Sequence, residues 1–166
     1  LNGLACDRNG ARYCTGLAQS NVLEGWREER TGQGFIFDVS EDRVVASDLH
    51  MPHSPRLSGE DLFYLESGCG TLNKLDIPSG VKTEIAFLPG YCRGLAIFEN
   101  YAIVATSVER EGRSFSDLPV GRLLKKSGVN ACCGLFVVNI KSGSIDHYFQ
   151  VSGEVSQIFD VCVLKS

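Results

Sequence analysis

Residues 34–42 read GFIFDVSED, three β-formers closed by an acid and a polar turn, and RVVAS at 43–47 then resumes the apolar pattern. Phe, Ile and Val suit a pleated, half-buried surface, whereas Asp and Ser suit the reversal between two strands. The stretch therefore predicts a β-hairpin. The pattern recurs twice. GTLNKLDIPSG at 70–80 leads into VKTEIAFL, and GLFVVNIKSG at 134–143 leads into SIDHYFQV.

Each of these hairpins follows another: GLACDRNGARYCTG at 3–16, SPRLSGEDLFYLESG at 54–68 and GLAIFENYAIVATS at 94–107. Two hairpins make a four-stranded unit. The first turns fall at Gly10, Glu60 and Asn100, separations of 50 and then 40 residues, which match the roughly 40 to 50 residues of a propeller blade. Helical periodicity is nearly absent. The expected fold is all-β and β-propeller-like: three four-stranded antiparallel blades, with FDVCVL at 159–164 as one extra strand, in a single domain over residues 1–166. Propellers close with about four to eight blades. Three leave an open arc with unpaired edges, so the expected partner is a second copy completing a ring, or further blades N-terminal to Leu1.

The chain has 166 residues, 43% hydrophobic and 22% charged, with a net charge of -4. That is the composition of a globular protein. An acidic chain (pI near 5.4) is a poor match for nucleic acid, whose binding is dominated by basic surfaces neutralising phosphates. Arg110, Arg113, Arg122, Lys125 and Lys126 cluster in sequence, but a solvated loop accounts for them. No apolar run approaches the roughly 20 residues needed to span a bilayer. Leu1 in place of a starting methionine makes a trimmed chain or a piece of a longer protein the expectation. The seven cysteines include no C-x-x-C pair, so no zinc ribbon or thioredoxin-type centre is expected. Most lie among apolar strand residues, as in RYCTG and DVCVL, where a thiol behaves as a small buried hydrophobe. Reduced thiols and a cytoplasmic location follow as expectations.

Aligning the first strand of each unit puts Asn2, His53, Arg93 and Asp160 in one column. The innermost strand of each blade starts near the central channel, so the column predicts a polar channel mouth. HMPHSPR at 50–56 delivers His53 to it, stiffened by Pro52 and Pro55. The leading expectation is a binding module holding a small polar or anionic ligand, with Arg56 and Glu66 as supporting members. A hydrolase or lyase is the alternative, with His53 and Asp160 handling protons and Arg93 clamping an anion. A third is a scaffold acting through exposed blade edges. Polar side chains that merely satisfy one another are the plainer account of such a column. No cofactor is expected, and no metal. The nearest approach to a ligand pair is His50 and His53 with Asp48 or Asp160, and a strand would turn positions three apart to opposite faces. Ser54 lacks a G-x-S-x-G elbow.

Residues 109–131 lengthen the third unit as an insertion, with Asp117 placed to cap a short helix that ends near Gly128. Such a loop serves as a lid or as a surface excursion. Trp26 reads as an anchor in the long connection inside the first unit.

MPHSPR at 51–56, ESGCG at 66–70, LPGYCRGLA at 88–96, CGLFVVN at 133–139 and IFDVCVL at 158–164 together resemble an uncharacterised, mostly bacterial family of conserved hypothetical proteins with a Met-Pro-His-Ser-Pro-Arg signature. The resemblance covers essentially the whole chain. It implies a propeller-like fold, longer members, and shared positions at Met51 to Arg56, Ser67, Gly68, Arg93, Gly94 and Asp160. It implies no particular activity. The chain departs from the pattern at Gln157, where the family has Glu, and at Cys69, where it has Thr or Asn. His50 lies outside the signature.

Overall fold

The computed structural model describes residues 1–20, 22–27, 30–109 and 115–164. Among them the chain forms three antiparallel four-stranded sheets. The first contains β1 (Gly3–Asp7), β2 (Gly10–Gly16), β3 (Gly34–Asp38) and β4 (Arg43–Leu49). The second contains β5 (Pro52–Ser58), β6 (Asp61–Glu66), β7 (Thr71–Asp76) and β8 (Lys82–Phe87). The third contains β9 (Tyr91–Phe98), β10 (Tyr101–Ser107), β11 (Cys133–Asn139) and β12 (Ile145–Val151). Strand order follows chain order in every sheet. The architecture is the all-β, propeller-like one expected, with three blades.

The second hairpin of each blade turns by one device. A side-chain oxygen at the end of its first strand accepts backbone N–H groups two or three residues on: Asp38 from Ser40 and Glu41, Asp76 from Ser79, and Asn139 from Lys141 and Ser142. These side chains supply the acceptor that the backbone lacks at a reversal. Four residues after each stands a left-handed residue: Asp42 at φ 51, Gly80 at φ 72 and Gly143 at φ 73. Glycine and aspartate tolerate that conformation best.

The innermost strands β1, β5 and β9 lie side by side, and the sheets fan out from them. Ala5, Ile36, Leu49, Leu62, Tyr64 and Leu75 fill the space between the first and second sheets. Phe63, Leu65, Leu72, Leu95, Val104 and Phe136 fill that between the second and third. Alternation along β6 explains the division: Leu62 and Tyr64 face one neighbour, Phe63 and Leu65 the other. Burying each large apolar side chain contributes roughly 1.5–3 kcal/mol.

Two expectations are corrected here. Residues 159–164 form no strand. FDVCVL has strand composition, but a strand needs a hydrogen-bonded neighbour; the tail is instead held near β10, where the Val108 N–H donates to the Ser156 carbonyl and the Ile158 N–H to Ser107 Oγ. Cys162 is accordingly exposed, as is Cys6, and only Cys14, Cys92 and Cys133 are fully buried. Asp117 does not cap the insertion helix α1 (Pro119–Ser127), whose N-cap is Leu118 with no side-chain hydrogen bond. Pro119 starts that helix without wasting a donor, and Asp117 pairs with Arg30 at 2.7 Å. Gly128 ends it in the left-handed conformation, its N–H reaching the Leu124 and Lys125 carbonyls. Helix α1 packs Val120 and Leu124 with Leu118 and Phe115 against Met51 and Tyr91. The side chain of Trp26, and with it Arg110 and Arg113, lies outside the described residues. Among the described residues no helix is long and apolar enough to cross a membrane.

Candidate functional site

Where β1, β5 and β9 begin, Asn2, His53, Arg56, Arg93 and Asp160 line one open pocket of about 370 Å3. Two β-bulges bring them together. In β5, His53 opposes Leu65 and Arg56 opposes Phe63, so three steps on one strand match two on the other. The extra residue lies at Ser54–Pro55, and Ser54 takes φ 48. Because Leu65 and Phe63 share a face, so do His53 and Arg56, although they are three apart. In β9, Gly94 opposes Ala105 and Cys92 opposes Thr106, which leaves Arg93 as the bulged residue. The Ser54 hydroxyl donates to the Arg93 carbonyl. One bulge thus fixes the other.

The Arg93 guanidinium lies over two aromatic rings, 5.3 Å from the Tyr91 centroid and 4.8 Å from that of Phe159. Ring quadrupoles favour a cation in that position. Arg56 pairs with Asp160 at 3.1 Å, an exposed contact. Asp160 is brought to the pocket by a close approach: a Cβ on Gly94 would stand 2.8 Å from the Asp160 Cα, so only glycine lets the tail cross β9 there. Asn2 Nδ2 donates to the Pro52 carbonyl at 2.8 Å, which leaves its amide oxygen as the group it can offer.

His53 is the buried member, 9% exposed. Its Nδ1 lies 2.9 Å from the Met51 carbonyl and 2.8 Å from Ser67 Oγ. The Ser67 hydroxyl donates to the Cys92 carbonyl, so its proton is committed and its lone pairs face the ring. Met51 O can only accept. Nδ1 therefore carries the proton and Nε2 the lone pair. Burial, reinforced by the positive charge of Arg93, brings the imidazole pKa down to about 4 against the help of the Met51 carbonyl. At neutral pH the ring is uncharged. Tyr91 packs against it edge to face at 5.5 Å.

Two members of the expected set lie elsewhere. Glu66 is not on the pocket; its Oε2 accepts the His50 backbone N–H at 2.9 Å. His50 does not join His53. Among the described residues no set of three donors containing His53 comes within metal-ligand spacing, whereas His50, Glu66 and Cys69 do. Ser67, Tyr91 and Phe159 were not singled out by the column. Only the shared Ser-Gly of the resemblance pointed to Ser67.

A family model for a domain of unknown function, DUF4915, matches residues 1–166, and the chain belongs to that family. Among solved structures, the computationally designed Ika4 protein matches with TM-score 0.54 at 12% identity, over 99% of this chain and 79% of that one. Hydrazine synthase of Kuenenia stuttgartiensis matches with TM-score 0.57 at 12% identity, over 90% of this chain but only 36% of its own. At such identity the likeness concerns the fold alone. No curated protein matches the sequence.

Proposed function

We propose that the pocket at the starts of β1, β5 and β9 binds a small polar or anionic ligand. The observation that carries the reading is its charge balance: two guanidiniums, Arg56 and Arg93, against one carboxylate, Asp160, beside a neutral imidazole. Arg93 is held over aromatic rings, and a planar cation fixed in this way suits a carboxylate or phosphate. The pH behaviour of His53 favours binding over catalysis. A base with a pKa near 4 is far from the value that best serves proton transfer at neutral pH, and Asp160 is paired with Arg56 rather than with the ring.

The test is a panel of small anions (inorganic phosphate, sulfate, and mono- and dicarboxylates) titrated calorimetrically into the chain. Saturable binding that weakens at least about 30-fold in Arg93→Met, from loss of a charge-assisted hydrogen bond worth roughly 2 kcal/mol, is the expected result. Equal affinity in the variant sinks the reading. A scaffold role has its own support in β12, an outer strand with Tyr148 and Phe149 exposed at 70% and 65%. Light scattering on the intact chain tests it: association that Phe149→Lys abolishes favours an edge contact, and a monomer throughout removes it.

A further inference from the structure

We infer that His50, Glu66 and Cys69 form a binding site for a single divalent ion of the zinc class. The inference is independent of the anion pocket. One ring nitrogen, one carboxylate oxygen and the sulfur lie within 4.8 Å of one another, and all three residues are half-buried. Tetrahedral zinc, with bonds of roughly 2.0–2.3 Å, sets its donors somewhat closer than that, within reach of small side-chain rotations. Nitrogen, oxygen and thiolate together select zinc over magnesium or calcium, which take oxygen alone.

A further observation points to a missing partner. Among the described residues His50 Nδ1 is buried with no hydrogen-bond partner, and a buried polar atom left so costs roughly 1–3 kcal/mol. Coordination through Nδ1 supplies that partner. Glu66 has capacity to spare: Oε2 accepts the His50 backbone N–H, and a carboxylate offers about four lone-pair sites.

The backbone holds the donors before any ion arrives. The Gly68 N–H donates to the His50 carbonyl at 2.9 Å, and the Cys69 and Gly70 N–H groups both donate to the Glu66 carbonyl, at 3.0 and 2.9 Å. Helix α1 clamps the turn from outside, since the Val120 N–H donates to the Gly68 carbonyl at 2.8 Å. On binding, the Cys69 thiol gives up its proton to solvent and the sulfur lone pair forms the metal bond. Three protein ligands leave a fourth position for water.

The experiment is titration of the reduced, chelator-stripped chain with Zn2+ and, as a spectroscopic probe, Co2+. One equivalent of either should bind. The Co2+ form should show a sulfur-to-metal charge-transfer band. Cys69→Ser should abolish that band, and Cys69→Ser and His50→Gln should each weaken Zn2+ binding more than about 100-fold, beyond the 10–100-fold that loss of a supporting hydrogen bond costs. Cys6→Ser/Cys162→Ser, which removes the exposed thiols, should leave the band intact. Absence of saturable Zn2+ binding, or a band that survives Cys69→Ser, overturns the inference. Should Cys69→Ser fail to fold, the band in the native chain and its loss in His50→Gln decide the matter alone.

Discussion

His50 and His53 stand three residues apart in one stretch, and the fold treats them in opposite ways. His53 is buried, its Nδ1 proton shared between the Met51 carbonyl and Ser67. His50 keeps its backbone tied to Glu66, while its Nδ1 is buried with no partner among the described residues. The difference arises in the backbone between and after them. Met51 takes φ 53 and Ser54 φ 48; between them Pro52 and His53 pair in register with Glu66 and Leu65, and the register slips only after His53, at Ser54–Pro55. A buried ring nitrogen can thus be a finished structural part or an open valence, and what decides is whether neighbouring strands supply its partner.

The largest effect expected from this contrast is the loss of stability in acid. Below pH 6.5 the unfolded chain protonates His53, whereas the folded chain does so only near pH 4. The unfolded state therefore binds more protons in that window, and stability falls as pH falls from about 6.5 to about 4. A shift of this size corresponds to about 3 kcal/mol. Denaturant unfolding at a series of pH values should show that slope, and His53→Gln should flatten it across the same window. An unchanged slope in the variant would mean that His53 is not the buried neutral group described.

The blades were legible because turn chemistry and alternation repeat: Asp38, Asp76 and Asn139 occupy matching places, and the strand runs between them keep their period. That Asn2, His53 and Arg93 stand at the starts of innermost strands was legible for the same reason, whereas Asp160 reaches the pocket from a tail that forms no strand. The bulges were not. An added residue at Ser54–Pro55 looks like any strand residue in sequence, yet it moves Arg56 onto the face of His53 and reverses the expectation for positions three apart. Glu66, read as a pocket member, belongs to the other histidine. Cys69 and His50 are joined only by the tertiary pairing of the β6–β7 turn with the entry to β5, which no local pattern encodes. The tail at 159–164 misled because composition reports how well residues suit a strand, not whether an edge is there to receive one.

A smaller effect isolates the Ser67 hydroxyl. Ser67→Ala removes the donor to the Cys92 carbonyl and one of the two acceptors at His53 Nδ1, but leaves the Met51 carbonyl in place. The expected cost is about 1–2 kcal/mol, the price of one unsatisfied buried carbonyl. The Nδ1–H tautomer should persist, which nitrogen chemical shifts of the imidazole can read. A switch to the Nε2–H form in the variant would show that Ser67, not Met51, fixes the proton.

The smallest effect is expected at the other histidine. In chelator-stripped protein, His50→Ala deletes a ring whose Nδ1 has no partner among the described residues, and it leaves the bond from the His50 backbone N–H to Glu66 available, since that bond does not use the side chain. The lost packing is then offset by relief of an unsatisfied atom, so the change in unfolding free energy should stay within about 0.5–1 kcal/mol. His53→Ala, which opens a buried site and strands Ser67, should cost several times more. Zn2+ well above its Kd should stabilise the native chain by RT ln(1 + [Zn2+]/Kd) while doing little for His50→Ala. The gap between native and His50→Ala should therefore widen with metal, while the His53→Ala cost stays constant. If zinc leaves both gaps unchanged, the two histidines differ only in how well the fold satisfies them.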